Sequence, residues 1–129
     1  MTLLTRKVLR GYYPNINPRT NIEQCQKKGI PDDVIQKLQR MQGAHTNGQE
    51  YWPVFAFSIL AANLSGVDHH TTNIYATGML LLRILYNGIY INGTTDVVSA
   101  IRSFVWLGGM VGSFTLVVKS ANILYATGI

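Results

Sequence analysis

The sequence predicts an all-α fold, an integral membrane helix bundle with three transmembrane spans. Three observations lead there. Only 13% of the 129 residues are charged, about half the ~25% usual in soluble domains. Beyond Pro53 the charges are Asp68, Arg83, Asp96, Arg102 and Lys119. The same region carries three long apolar segments, each about as long as a tilted bilayer span requires. A soluble bundle would need charge recurring on the outer face of every helix, and that charge is missing here.

The chain divides into a polar segment with a short helix over 1–44 and a bundle over 45–129. Residues 1–19 hold short apolar pairs between Arg6, Lys7, Arg10 and Arg19. Neither a signal peptide, with its continuous apolar run of about 7–15 residues, nor a span of about 20 is expected there. Pro31-Asp32-Asp33 fits a helix start, with proline in the first turn and acids at the positive dipole end. Val34, Ile35, Leu38 and Met41 then recur at helical spacing, so one greasy stripe is expected on a surface helix. Cys25 is the single cysteine. It excludes a disulfide framework and reads as a surface thiol.

The spans are expected at about 48–67, 73–92 and 100–125. Pro53 should lie near the start of the first, where a helix tolerates it best. Gly108 and Gly112 form a GxxxG pair suited to close helix packing in lipid. His69-His70 has only Asp68 beside it, so no metal site is expected. The net charge of +5 is concentrated in the N-terminal third and is not interleaved with aromatics. Lipid headgroups therefore fit it better than nucleic acid, and no nucleic-acid partner is expected.

Successive spans alternate in direction, which gathers polar residues at one membrane level. His45, Asn47, Glu50 and Tyr51 open the first span. Tyr86 and Tyr90 close the second, and Arg102 and Ser103 open the third. Most Lys and Arg lie on that side, which the positive-inside bias makes cytoplasmic. Arg83, Tyr86 and Tyr90 share a helix face at i, i+3, i+7. Arg83 lies about 10 Å deeper than Tyr90 at ~1.5 Å per residue, and a charge at that depth needs an inward-facing partner. Glu50 is the carboxylate expected to supply it. The resulting pocket suits a zwitterionic or anionic peptide-like ligand.

These residues carry a resemblance. The run from Arg40 to Pro53, RMQGAHTNGQEYWP, resembles the signature of the MAPEG family, the membrane-associated proteins of eicosanoid and glutathione metabolism. Asn17-Pro18-Arg19, the spacing of Arg83, Tyr86 and Tyr90, and Ile101-Arg102-Ser103 match further family motifs in order. The resemblance implies a membrane homotrimer that binds glutathione between neighbouring subunits near the cytoplasmic side. It makes Arg102 the group that keeps the glutathione sulfur ionised. It makes His45, Asn47, Glu50, Tyr51, Tyr86, Tyr90 and Ser103 the glutathione-binding residues, with Arg83 ordering Glu50. Well-studied members have four spans, and the first is expected to be missing here. Gly43 and Thr46 stand where some glutathione-using members place arginines, which lowers the positive charge of the site.

The function expected is a glutathione transferase or peroxidase. Its substrate would be a lipophilic small molecule, an electrophile or a lipid hydroperoxide, arriving from the bilayer. The alternative is a non-enzymatic scaffold that keeps the fold. The membrane is an endomembrane such as the endoplasmic reticulum in a eukaryote, or the inner membrane in a bacterium.

Overall fold

The computed structural model describes residues 20–128. The motif Asn17-Pro18-Arg19 and the stretch in which the absence of a first span is expected lie outside them. The described residues form helices and no strand.

Helix α1, Asn21–Lys27, ends in a glycine turn. Gly29 has a φ of 71°, and the Ile30 N–H donates to the Cys25 carbonyl at 3.2 Å. This is the left-handed cap that glycine permits. It folds Ile30 down onto a buried cluster of Cys25, Ile35 and Leu38, joined by Ile22 and Val34. Cys25 is 0% exposed, which corrects the expected surface thiol. The greasy stripe of the next helix covers its sulfur.

Helix α2, Asp32–Leu64, is a single 33-residue helix. The Pro31 carbonyl accepts its first bonds, from the Val34 and Ile35 N–H groups. The helix runs through the point where the first span was expected to begin, so Pro53 lies in its interior and not near its start. Pro53 has no N–H to donate to the Gln49 carbonyl four residues back. The exposed face changes character at that residue. Before it stand His45, Thr46, Gln49 and Glu50; after it stand Phe57, Leu60 and Leu64. A second glycine cap closes α2. Gly66 has a φ of 79°, and the Val67 N–H reaches the Ala62 carbonyl at 3.0 Å. Val67 and Ala62 then pack with Met79 and Leu116 in the core of the bundle.

Helices α3, His69–Asn92, and α4, Asp96–Thr127, follow. Both start about four residues earlier than the apolar pattern alone suggests, because both are capped. The Asp68 side chain accepts from the Thr71 N–H at 2.9 Å, and Thr95 accepts from the Val98 N–H at 3.4 Å. Such caps satisfy first-turn donors that no carbonyl reaches. The Thr71 bond holds the Asp68 carboxyl below the usual carboxylate range.

Helices α3 and α4 are long and apolar enough to cross a membrane. Only 11% and 17% of their most apolar windows are buried, so they are not core helices of a soluble protein. Leu81, Ile84, Phe104, Val111 and Phe114 are among the large apolar side chains they expose. Helix α2 does not join them on these grounds.

Helices α3 and α4 pack most extensively on each other. A Cβ on Gly108 would lie 3.5 Å from the Leu82 side chain, and one on Gly112 would lie 3.2 Å from Met79. The GxxxG pair is thus the groove that receives α3. The two buried serine hydroxyls of α4 are satisfied internally, as lipid demands. Ser120 donates to the Leu116 carbonyl at 2.9 Å and Ser113 to the Met79 sulfur at 3.0 Å.

This packing makes a prediction. Gly112→Leu should destabilise the bundle by about 1–3 kcal/mol through overpacking. Gly78→Leu, where an added Cβ meets nothing within 4 Å, should leave it near wild type. Thermal unfolding in one detergent compares the two, and equal melting temperatures would contradict the packing.

Candidate functional site

Arg83 projects from α3 toward α2. Its Nη1 donates to Asn47 Oδ1 at 2.7 Å, and its Nη2 donates to the Ala44 carbonyl at 2.9 Å. Hydrogen bonds from a charged donor are among the stronger ones. The guanidinium carbon also lies 4.6 Å from the Tyr86 ring centroid and 5.7 Å from that of Tyr51. The four α2 positions involved, 44, 47, 48 and 51, are i, i+3, i+4, i+7 and form one helix face. Gly48 makes the contact possible. It lies one turn above Ala44, and a Cβ there would stand 3.0 Å from Nη2.

Glu50 is off that face and exposed. Among the described residues no ion pair joins it to Arg83, so the expected Arg83–Glu50 pair is corrected. At about 100° per residue, Glu50 lies more than a quarter-turn around the helix from the centre of that face. An amide, a backbone carbonyl and two aromatic faces take the carboxylate's place.

Tyr51 extends the linkage to α4. It is buried, and its hydroxyl donates to the Gly109 carbonyl at 3.3 Å. A Cβ on Gly109 would stand 3.1 Å from that oxygen. Arg83 and Tyr51 therefore tie three helices together at one level. Between them, with Tyr86 and Trp106, lies a cleft whose interior volume is about 10 Å³, room for about one water.

A ladder runs outward from Arg83 along α3. Tyr86 is buried, and its ring centroid lies 5.6 Å from that of Tyr90 with the planes at 57°. The Arg102 guanidinium of α4 sits over Tyr90, 4.2 Å from its centroid. Arg102 is half-buried, and among the described residues its N–H groups have no acceptor and no carboxylate partner. Ser103 is exposed and donates to the Ser99 carbonyl at 3.1 Å. His45 is exposed on α2.

The structure thus brings Asn47, Tyr51, Arg83, Tyr86, Tyr90 and Arg102 into one connected set. It leaves His45, Glu50 and Ser103 on exposed surfaces. Sequence reasoning missed Gly48, Gly109 and the Ala44 carbonyl. The available signal was glycine inside a helix, which costs about 1 kcal/mol relative to alanine and so asks for a packing reason.

The sequence profile of the MAPEG family matches residues 2–122. The chain belongs to the MAPEG family. No curated protein and no solved structure matches it. The apolar exterior of α3 and α4 has its explanation in MAPEG membership, since this is a membrane family. Membership also gives the chain a general role in glutathione or eicosanoid metabolism.

For this MAPEG chain, Gly48→Leu should drive the Arg83 guanidinium off Asn47 and Ala44 and cost about 1–3 kcal/mol. Tyr51→Phe should cost less, about 0.5–1.5 kcal/mol for one neutral hydrogen bond. Denaturant titration in detergent ranks the two, and the opposite order would contradict the assignment.

Proposed function

We propose that the chain is the protomer of a membrane-embedded glutathione transferase or peroxidase acting on lipophilic electrophiles or lipid hydroperoxides. In this reading α2 also crosses the membrane, making three spans, and three copies assemble. The polar end of the bundle faces the cytoplasm, where most Lys and Arg are expected. The membrane is an endomembrane or a bacterial inner membrane.

One observation carries the reading. Arg102 presents a guanidinium at the mouth of an apolar bundle with its hydrogen-bonding edge unclaimed among the described residues. Glutathione fits such a donor set: Arg102 suits its anionic groups, and the exposed Glu50 carboxylate suits its ammonium. A cleft of about 10 Å³ does not admit a tripeptide. In this reading the ligand lies on exposed polar residues, His45 and Glu50 of α2 and Ser103 of α4, covered by a neighbouring copy.

Bound there, glutathione supplies the sulfur that forms a C–S bond to an electrophile or reduces a hydroperoxide. The residues of the chain set up that chemistry. Arg102 holds the sulfur in its ionised form, as a fixed cation does for a thiol whose pKa is otherwise ~8.5. Asn47, Arg83 and Tyr51 fix α2 against α3 and α4, and so fix the face that carries His45 and Glu50. Exposed apolar side chains around the mouth admit a bilayer-soluble substrate.

A second reading is a scaffold that keeps the fold without catalysis. The small cleft and the absence of arginine at Gly43 and Thr46 favour it. Melting with glutathione separates the two readings. Ligand at one hundred times its dissociation constant should add about 2.7 kcal/mol of stability, whereas a scaffold gains none. The enzyme reading also expects an ultraviolet signal of ionised glutathione on the purified protein, abolished by Arg102→Ala. No signal, or one unchanged by that substitution, would contradict it.

A further inference from the structure

We propose that Tyr90 is the positioning residue of Arg102, acting through its ring face and not through its hydroxyl. The inference rests on the reading of Arg102 as the group that holds the ionised sulfur of glutathione.

An arginine at the start of a span has two ordinary fates. It extends toward the headgroups, or it pairs with a carboxylate. A carboxylate would occupy the N–H edge of the guanidinium and cancel its charge. Arg102 has no such carboxylate among the described residues. Its guanidinium stacks 4.2 Å over the Tyr90 centroid. An aromatic face attracts a cation through its quadrupole without contributing a negative charge. The plane of Arg102 is held while its edge and its full charge stay available to an anion.

The ring is itself fixed. Tyr90 packs on Tyr86 at 5.6 Å, Tyr86 is 5% exposed, and the Arg83 guanidinium lies 4.6 Å from the Tyr86 centroid. Arg83 is bonded to Asn47 and the Ala44 carbonyl. The position of Arg102 on α4 is therefore inherited, ring by ring, from a clamp on α2. Among the described residues the Tyr90 hydroxyl makes no hydrogen bond, so the ring is the part in use.

The test uses the full chain in detergent and four proteins: wild type, Tyr90→Phe, Tyr90→Leu and Arg102→Ala. Ionisation of bound glutathione is followed by ultraviolet absorbance against pH, and its dissociation constant is measured separately. Tyr90→Leu should raise the half-ionisation pH of the bound glutathione by about one unit, a roughly tenfold loss of ionised sulfur below the midpoint, whatever its dissociation constant becomes. Tyr90→Phe should rescue the wild-type profile. A Tyr90→Leu profile equal to wild type overturns the inference, and so does a Tyr90→Phe profile that follows Tyr90→Leu. A second measurement needs no glutathione. Guanidinium NMR signals of Arg102 should show a ring-current shift that Tyr90→Leu removes, and its absence in wild type overturns the inference independently. A ring-current shift present in a wild type that never ionises glutathione overturns the glutathione reading instead.

Discussion

A guanidinium built into an apolar helix has to find its partners inside the protein, because lipid offers none. Arg83 meets that demand by reaching across to α2, where Asn47, the Ala44 carbonyl and the faces of Tyr51 and Tyr86 receive it. The consequence is architectural. Helix α2 is registered against α3 by this polar contact. Tyr51 carries the same registration on to α4 through Gly109.

The registration sets the chemistry of the surface. With positions 44, 47, 48 and 51 turned toward α3, the helix period turns His45, Thr46, Gln49 and Glu50 outward. The exposed polar face and the buried clamp are two sides of one helix, fixed by the same bonds. The aromatic ladder from Arg83 to Tyr90 then links the clamp to Arg102. Two guanidinium groups stand at opposite ends of a pair of rings. Among the described residues neither guanidinium is engaged by a carboxylate in an ion pair, a setting that suits an anionic ligand.

Much of this was legible in the sequence, and the failures have physical causes. The length and apolarity of α3 and α4 were plain, and the i, i+3, i+7 spacing of Arg83, Tyr86 and Tyr90 placed them on one face. The early starts of both helices were signalled by Asp68 and Thr95, which a reading of apolarity alone passes over. The continuity of α2 was harder to see, because a polar stretch followed by an apolar one reads as two elements, and Pro53 strengthens that impression. Choosing Glu50 as the partner of Arg83 followed charge and ignored rotation. The face of α2 is chosen by Gly48, whose missing side chain leaves the Ala44 carbonyl open. Cys25 was misjudged for the reverse reason: its sequence neighbours are polar, but the turn at Gly29 brings Ile30, Ile35 and Leu38 over it.

A double-mutant cycle on the Arg83 clamp tests the central claim most directly. The cycle combines Arg83→Met with Asn47→Ala, and in parallel Arg83→Met with Glu50→Gln, with reversible unfolding measured in detergent. The account predicts a coupling of about 1–3 kcal/mol for Arg83 with Asn47, within the range for directly bonded groups, and none measurable with Glu50. Strong coupling to Glu50, or none to Asn47, would contradict it.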